Sequence, residues 1–274
     1  MIPEDYARRL KTGRPARVQV LVDATDPSAS QSAIAAAQLV GQRTNVELLV
    51  ARVGARASGE SAPLDVRVRP LYNPALKSAL FIVPGIMGMI LSNILIIITA
   101  MAIVREREFG TLEQLIVTPL TRSEIMLGKI APYVLVGMVQ ITAVLVVGHL
   151  LFGVPVRGSL LLIYGASLVF ITANLGLGLF ISTLAKAQAQ AMQASFFFLL
   201  PNVLLSGFMF PREAMPAFAR DIGLVLPLTY YLQIMRGVIL KGVGLPELWP
   251  QTLMLVAFAV LFFTFSTLRF HKQL

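Results

Sequence analysis

The sequence predicts an α-helical polytopic membrane protein with a small α/β domain at its amino-terminal end, and three observations predict it. Of the 274 residues, 56% are hydrophobic and only 14% are charged, and the mean hydropathy of +0.76 lies above what soluble domains tolerate. Charged residues are absent from five runs long enough to cross a bilayer. The first 75 residues behave differently, and within them Arg17–Asp23 alternates apolar and polar side chains as a half-buried strand does.

Residues 1–75 form the predicted soluble module. In Arg17–Asp23, RVQVLVD, the valines 18, 20 and 22 share one face. Asp26 and Pro27 then offer an N-cap and a first helical residue for SASQSAIAAAQLVGQR. After the flexible GARASGESA, Pro63–Pro70 reads as a second strand. The charges of this module read as an ordinary solvated face.

Residues 76–274 form the predicted membrane domain. The uncharged runs Ser78–Val104, Ile130–Val156, Gly158–Ala185, Ala187–Pro211 and Leu248–Leu268 place spans at about 79–104, 130–152, 159–184, 188–210 and 249–268. A mid-bilayer charge costs roughly 2.5–3.5 kcal/mol on insertion scales, so the charged residues mark the boundaries. Ile222–Met235 is uncharged but short and contains Pro227, which predicts a re-entrant or interfacial segment within about 212–245. No Asp or Glu lies between Asp65 and Glu106 or between Glu124 and Glu213, so these spans hold no carboxylate relay.

Composition also excludes functions. The net charge of +9 comes from scattered residues flanking apolar runs, not from a basic stripe with interleaved aromatics, so no nucleic-acid partner is expected. With no cysteine there is no disulfide and no Cys-ligated metal, and His149 and His271 are too far apart to suggest a ligand pair; no metal site is expected. Gly128–Lys129 lacks a phosphate loop's other residues, Ser123 standing for the Gly and Ile130 for the Ser or Thr. No catalytic residues are expected. The charge bias of the loops favours Val104–Lys129 on the cytoplasmic side by seven basic residues to five, which leans without deciding.

Val104–Lys129, VREREFGTLEQLIVTPLTRSEIMLGK, concentrates four carboxylates and four basic residues between two uncharged runs. Phe109, Leu112, Leu115 and Ile116 make an apolar stripe at helical spacing, with Arg105, Glu108, Thr111 and Glu113 elsewhere, so a short amphipathic helix is predicted along the membrane surface. Pro119 ends it, and TRSE forms a capping box from Thr121 to Glu124 for the next span. Gly110 stands where the first span must turn into this helix.

EREFGTLEQLIVTPLTRSEIMLGKIAPY closely resembles the signature of ABC-2 type transporter permeases, the membrane subunits of a class of ATP-binding-cassette exporters. Glu106, Gly110, Thr111, Glu113, Gln114, Leu115, Pro119, Gly128 and Lys129 occupy family-typical places. IPEDYARRLKTGRPARVQVLVDATDPS resembles the extracytoplasmic domain of the multidrug-type branch, and FFFLLPNVLLSGFMFPREAMP its fifth helix and the re-entrant region after it. The resemblance implies a multi-pass protein of the bacterial cytoplasmic (inner) membrane that exports an amphiphilic or hydrophobic substrate, of drug or lipid class. It implies an ABC ATP-binding subunit as partner, which carries the ATP and Mg, a second permease subunit as homo- or heterodimer, and a periplasmic adaptor protein. No cofactor is expected on this chain.

The same resemblance places a cytoplasmic coupling helix at about 105–118, with Arg105, Glu106, Glu108, Phe109, Gly110, Thr111, Leu112, Glu113, Gln114 and Leu115 as the contacts to the ATPase subunit. Asn93, Asn174, Phe197 and Asn202 are the candidates for the substrate pathway, and Thr172, Gly176 and Gly178 for close helix approach. The family has six helices, the first preceding the soluble domain, so the expectation is that this chain is a longer permease lacking that helix. Two other readings compete: a secondary carrier or channel, disfavoured by the missing intramembrane charge, and a membrane-anchored sensor that binds a ligand through its soluble module.

Overall fold

The computed structural model describes residues 3–11, 16–53, 64–110 and 122–269, in two compact units, Met1–Ser78 and Ala79–Leu274. The first unit holds α1 (Tyr6–Lys11), β1 (Ala16–Asp23), α2 (Pro27–Val53) and β2 (Leu64–Leu71). The strands pair in parallel from Ala16↔Leu64 to Asp23↔Leu71, as both strand patterns predict to within a residue at each end. Asp26 caps α2, its Oδ1 accepting the amides of Ser28 at 2.9 Å and Ala29 at 3.1 Å. Asn45 clamps α2 to β2 by donating to the Leu64 carbonyl and accepting its amide, each at 2.8 Å.

The second unit is helical: α3 (Ser78–Glu108), α4 (Arg122–Phe152), α5 (Leu160–Leu184), α6 (Gln188–Leu205), a 3-10 turn at Arg212–Ala214, α7 (Ala217–Gly223), α8 (Pro227–Arg236) with a π-turn at Gly237–Lys241, and α9 (Leu245–Arg269). Among the described residues, four stretches are long and apolar enough to cross a membrane: Ser78–Glu108, Gly128–Phe152, Leu160–Leu184 and Leu245–Ser266. These fall on four of the five predicted spans. Over the remaining one, 188–210, the helix is only 18 residues long, about 27 Å. It carries Gln188, Gln190 and Gln193 in its first two turns and stops at Leu205, where Gly207 adopts φ +87° and Pro211 follows.

Within 212–245, where a re-entrant or interfacial segment is expected, α7 and α8 with its π-turn form a helix pair bent by 88°, the shape of a broken span or a re-entrant loop. Pro227 supplies the fixed φ of the first turn of α8. The break between them is satisfied internally, Thr229 Oγ1 donating to the Gly223 carbonyl at 2.6 Å and the Tyr230 hydroxyl to that of Leu224 at 3.0 Å. Eight of the ten residues of α8 are buried. Irregular backbone is tolerated at membrane depth when protein rather than lipid surrounds it.

Over half of α5 is buried, Ile163, Phe170, Ile171, Ala173 and Leu175 completely, while Leu161 and Leu184 stay exposed. Its Phe170 stacks on Tyr231 of α8 with ring centroids 4.0 Å apart, and the Tyr231 hydroxyl meets Ser167 at 2.9 Å. Gly178 lets α3 close on α5: a Cβ there would stand 2.9 Å from the Ile96 carbonyl and from Thr99 Cβ. Thr172, expected to help in such an approach, bonds back to the Leu168 carbonyl of its own helix.

Candidate coupling junction and intramembrane polar cluster

The last turn of α3 carries Arg105, Glu106, Arg107 and Glu108 in succession. Consecutive helical residues point about 100° apart, so four charges in a row fan out to different neighbours. Glu106 forms an ion pair with Lys129 of α4. Arg107 Nη1 donates to the Ala185 carbonyl at the end of α5, 3.2 Å away. Arg105 lies 5.7 Å from the centroid of the Phe109 ring, which is 69% exposed.

Glu108 reaches the start of α6. Its carboxylate accepts the Gln188 amide at 2.9 Å and the Gln188 side-chain amide with its second oxygen. Ala187, at the N-cap position, has no side chain able to cap. Glu108 therefore caps α6 from another helix, and its negative charge meets the positive end of the α6 dipole. Beyond it Gly110 turns the chain with φ +71°, its amide donating to the Arg107 carbonyl at 3.2 Å.

Of the expected coupling residues, Arg105, Glu106, Glu108, Phe109 and Gly110 thus meet at one junction of α3, α4, α5 and α6. Thr111, Leu112, Glu113, Gln114 and Leu115 lie outside the described residues, as do Pro119 and Thr121. Sequence reading missed Arg107 and Gln188 as members of the junction. The available signal was the sequence AKAQ around Ala187, a helix start without a local cap.

The pathway candidates separate. Asn174 and Asn202 are 1% and 3% exposed and meet at Ser92 of α3, which is 1% exposed. The Ser92 hydroxyl donates to Asn174 Oδ1 at 2.5 Å and accepts from Asn202 Nδ2 at 3.3 Å, while Asn174 Nδ2 donates to the Phe170 carbonyl at 2.7 Å. Asn93 is half-buried and outside this cluster, and Phe197 is 81% exposed. Ser92 carried no sequence signal beyond standing next to Asn93.

A cavity of about 490 Å³ opens between α3 and α4, lined only by apolar side chains such as Ile82, Ile86, Ile90, Val144, Val147 and Phe152. Among the described residues no group of three or more His, Asp or Glu side chains is placed to hold a metal. His149 is exposed, and its Nδ1 lies 3.1 Å from the Val154 carbonyl at the end of α4.

Long apolar helices and a buried broken helix pair define a multi-pass membrane protein. The family model described as ABC-2 family transporter protein matches residues 1–268, and the chain belongs to that family. Among similar proteins, the probable multidrug ABC transporter permease YbhR of Escherichia coli (strain K12) is 34% identical over 247 residues, 90% of this chain and 66% of its own length. The probable multidrug ABC transporter permease YbhS of the same strain is 33% identical over 281 residues, 100% of this chain and 72% of its own. Its inner membrane transport permease YhhJ is 36% identical over 278 residues, with the same two coverages. The chain thus spans about two thirds of the length of the curated relatives it matches.

Proposed function

We propose that this chain is the permease subunit of an ATP-binding-cassette exporter of the bacterial cytoplasmic membrane, moving an amphiphilic or hydrophobic substrate of drug or lipid class. A separate subunit hydrolyses the ATP, and a second permease copy or relative completes the pathway. Family membership and the transport permeases among its relatives support transport. The apolar lining of the α3–α4 cavity suits a hydrophobic cargo.

The observation that carries the reading is the junction at Arg105–Gly110. A surface segment can drive a helical bundle only if a push on it moves several helices together. Here the last turn of α3 contacts α4 through Glu106, the end of α5 through Arg107 and the start of α6 through Glu108. The expected contact at Glu113 lies outside the described residues and enters this reading only as a further charge proposed to meet the motor subunit. The test is reconstitution with an ATP-hydrolysing subunit of an ATP-binding-cassette exporter, followed by efflux of a panel of hydrophobic dyes and lipids. ATP-dependent efflux is expected, and efflux that follows a proton gradient and ignores ATP would overturn the proposal.

A further inference from the structure

Two polar ties link α3 to α6, which runs antiparallel to it. Glu108 meets Gln188 at one level, and Ser92 meets Asn202 at another. The levels are about 24 Å apart along α3 and about 21 Å along α6, the same separation within a residue's rise or two. Between them Ile96, Ala100 and Val104 share one buried apolar cluster with Ala191 of α6, Leu177 and Ile181 of α5, and Ala185 at its end. The end of α5 is held by Arg107 at the first level and its Asn174 by Ser92 at the second. One tie permits α3 to pivot against the α5–α6 hairpin; two ties at different heights do not.

Ser92 is the hub of the second level. Its hydroxyl bonds both asparagines, and the Asn202 side chain makes its hydrogen bond, among the described residues, to Ser92 alone, with Oδ1 buried and unpaired. Removing that hydroxyl leaves a buried amide with no partner, which favours separation of α6 from α3. Thr99, on the same helix, is 1% exposed, and its hydroxyl makes no hydrogen bond among the described residues.

We infer that α3 and the α5–α6 hairpin move as one body, and that Ser92 is the positioning residue that keeps displacement arriving at Arg105–Gly110 from being lost as a swing of α3. This rests on the transport reading for its purpose but not for its test. The chain contains no cysteine, so Ile98→Cys on α3 and Leu200→Cys on α6, both exposed, accept nitroxide labels without background. In the full chain, in vesicles of phosphatidylethanolamine and phosphatidylglycerol, electron-spin distance measurement is expected to give one narrow distribution. Adding Ser92→Ala should lose that narrow distribution, and adding Thr99→Ala should keep it. A broad or two-peaked distribution in the labelled parent, or an unchanged one with Ser92→Ala, would overturn the inference.

With the ATP-hydrolysing subunit present, the Ile98–Leu200 distance is expected to stay constant when ATP is added. A shift beyond the parent's width would also overturn it. If the reconstituted pair fails to transport while the contrast between Ser92→Ala and Thr99→Ala holds, the transport proposal fails and the one-body arrangement stands.

Discussion

Gly110 ends α3 in the left-handed region, with open space where a Cβ would stand. The obstacle to any other residue there is therefore the backbone itself, roughly 1–2 kcal/mol for an L-residue and more for a β-branched one. Gly110→Val is expected to insert normally and to uncouple ATP hydrolysis from efflux, because the segment after α3 leaves at a different angle. Glu113→Arg should uncouple in the same way through reversed charge. Membrane fractionation with paired ATPase and efflux assays checks both; wild-type efflux in both variants would count against the junction's role. Glu108 makes a different prediction. Without its carboxylate the first amides of α6 face water, so Glu108→Ala should speed hydrogen exchange at Gln188–Ala191, and Glu108→Gln, which keeps an acceptor oxygen, should do so less.

Among the elements, α8 depends on α5 through the Tyr231–Phe170 stack and the Ser167 hydroxyl. Tyr231→Ala should cost about 3–5 kcal/mol as a large fully buried side chain is lost, and Tyr231→Phe about 1 kcal/mol as one hydrogen bond is lost. Thermal unfolding in detergent orders them, and equal melting points would show that the stack contributes little. Elements like these were only partly legible in the sequence. Charge exclusion located α3, α4, α5 and α9, because a charge in hydrocarbon is costly wherever it falls. The valine alternation located β1 and Asp26 the start of α2, since both signals are local. The extent of α6 and the depth of α8 were not legible, because uncharged composition says nothing of whether lipid or protein surrounds a helix. The junction was half legible: the motif indicated Arg105 to Gly110, but Gln188 and Ala185 become its partners only through packing across 80 and 78 residues of chain.

For the whole molecule, the chain holds a small α/β unit and a helical unit with membrane-length helices, within the ABC-2 family. On the proposed account the membrane unit burns no fuel and receives force at one charged junction, where α3 meets three other helices. Depleting ATP should therefore stop efflux while collapsing the proton gradient leaves it running. The most direct measurement places a photo-crosslinker on a cysteine at Phe109, exposed beside the junction, in cells that also make the ATP-hydrolysing subunit. The account predicts an adduct to that cytosolic subunit; adducts confined to proteins on the opposite side of the membrane would contradict it.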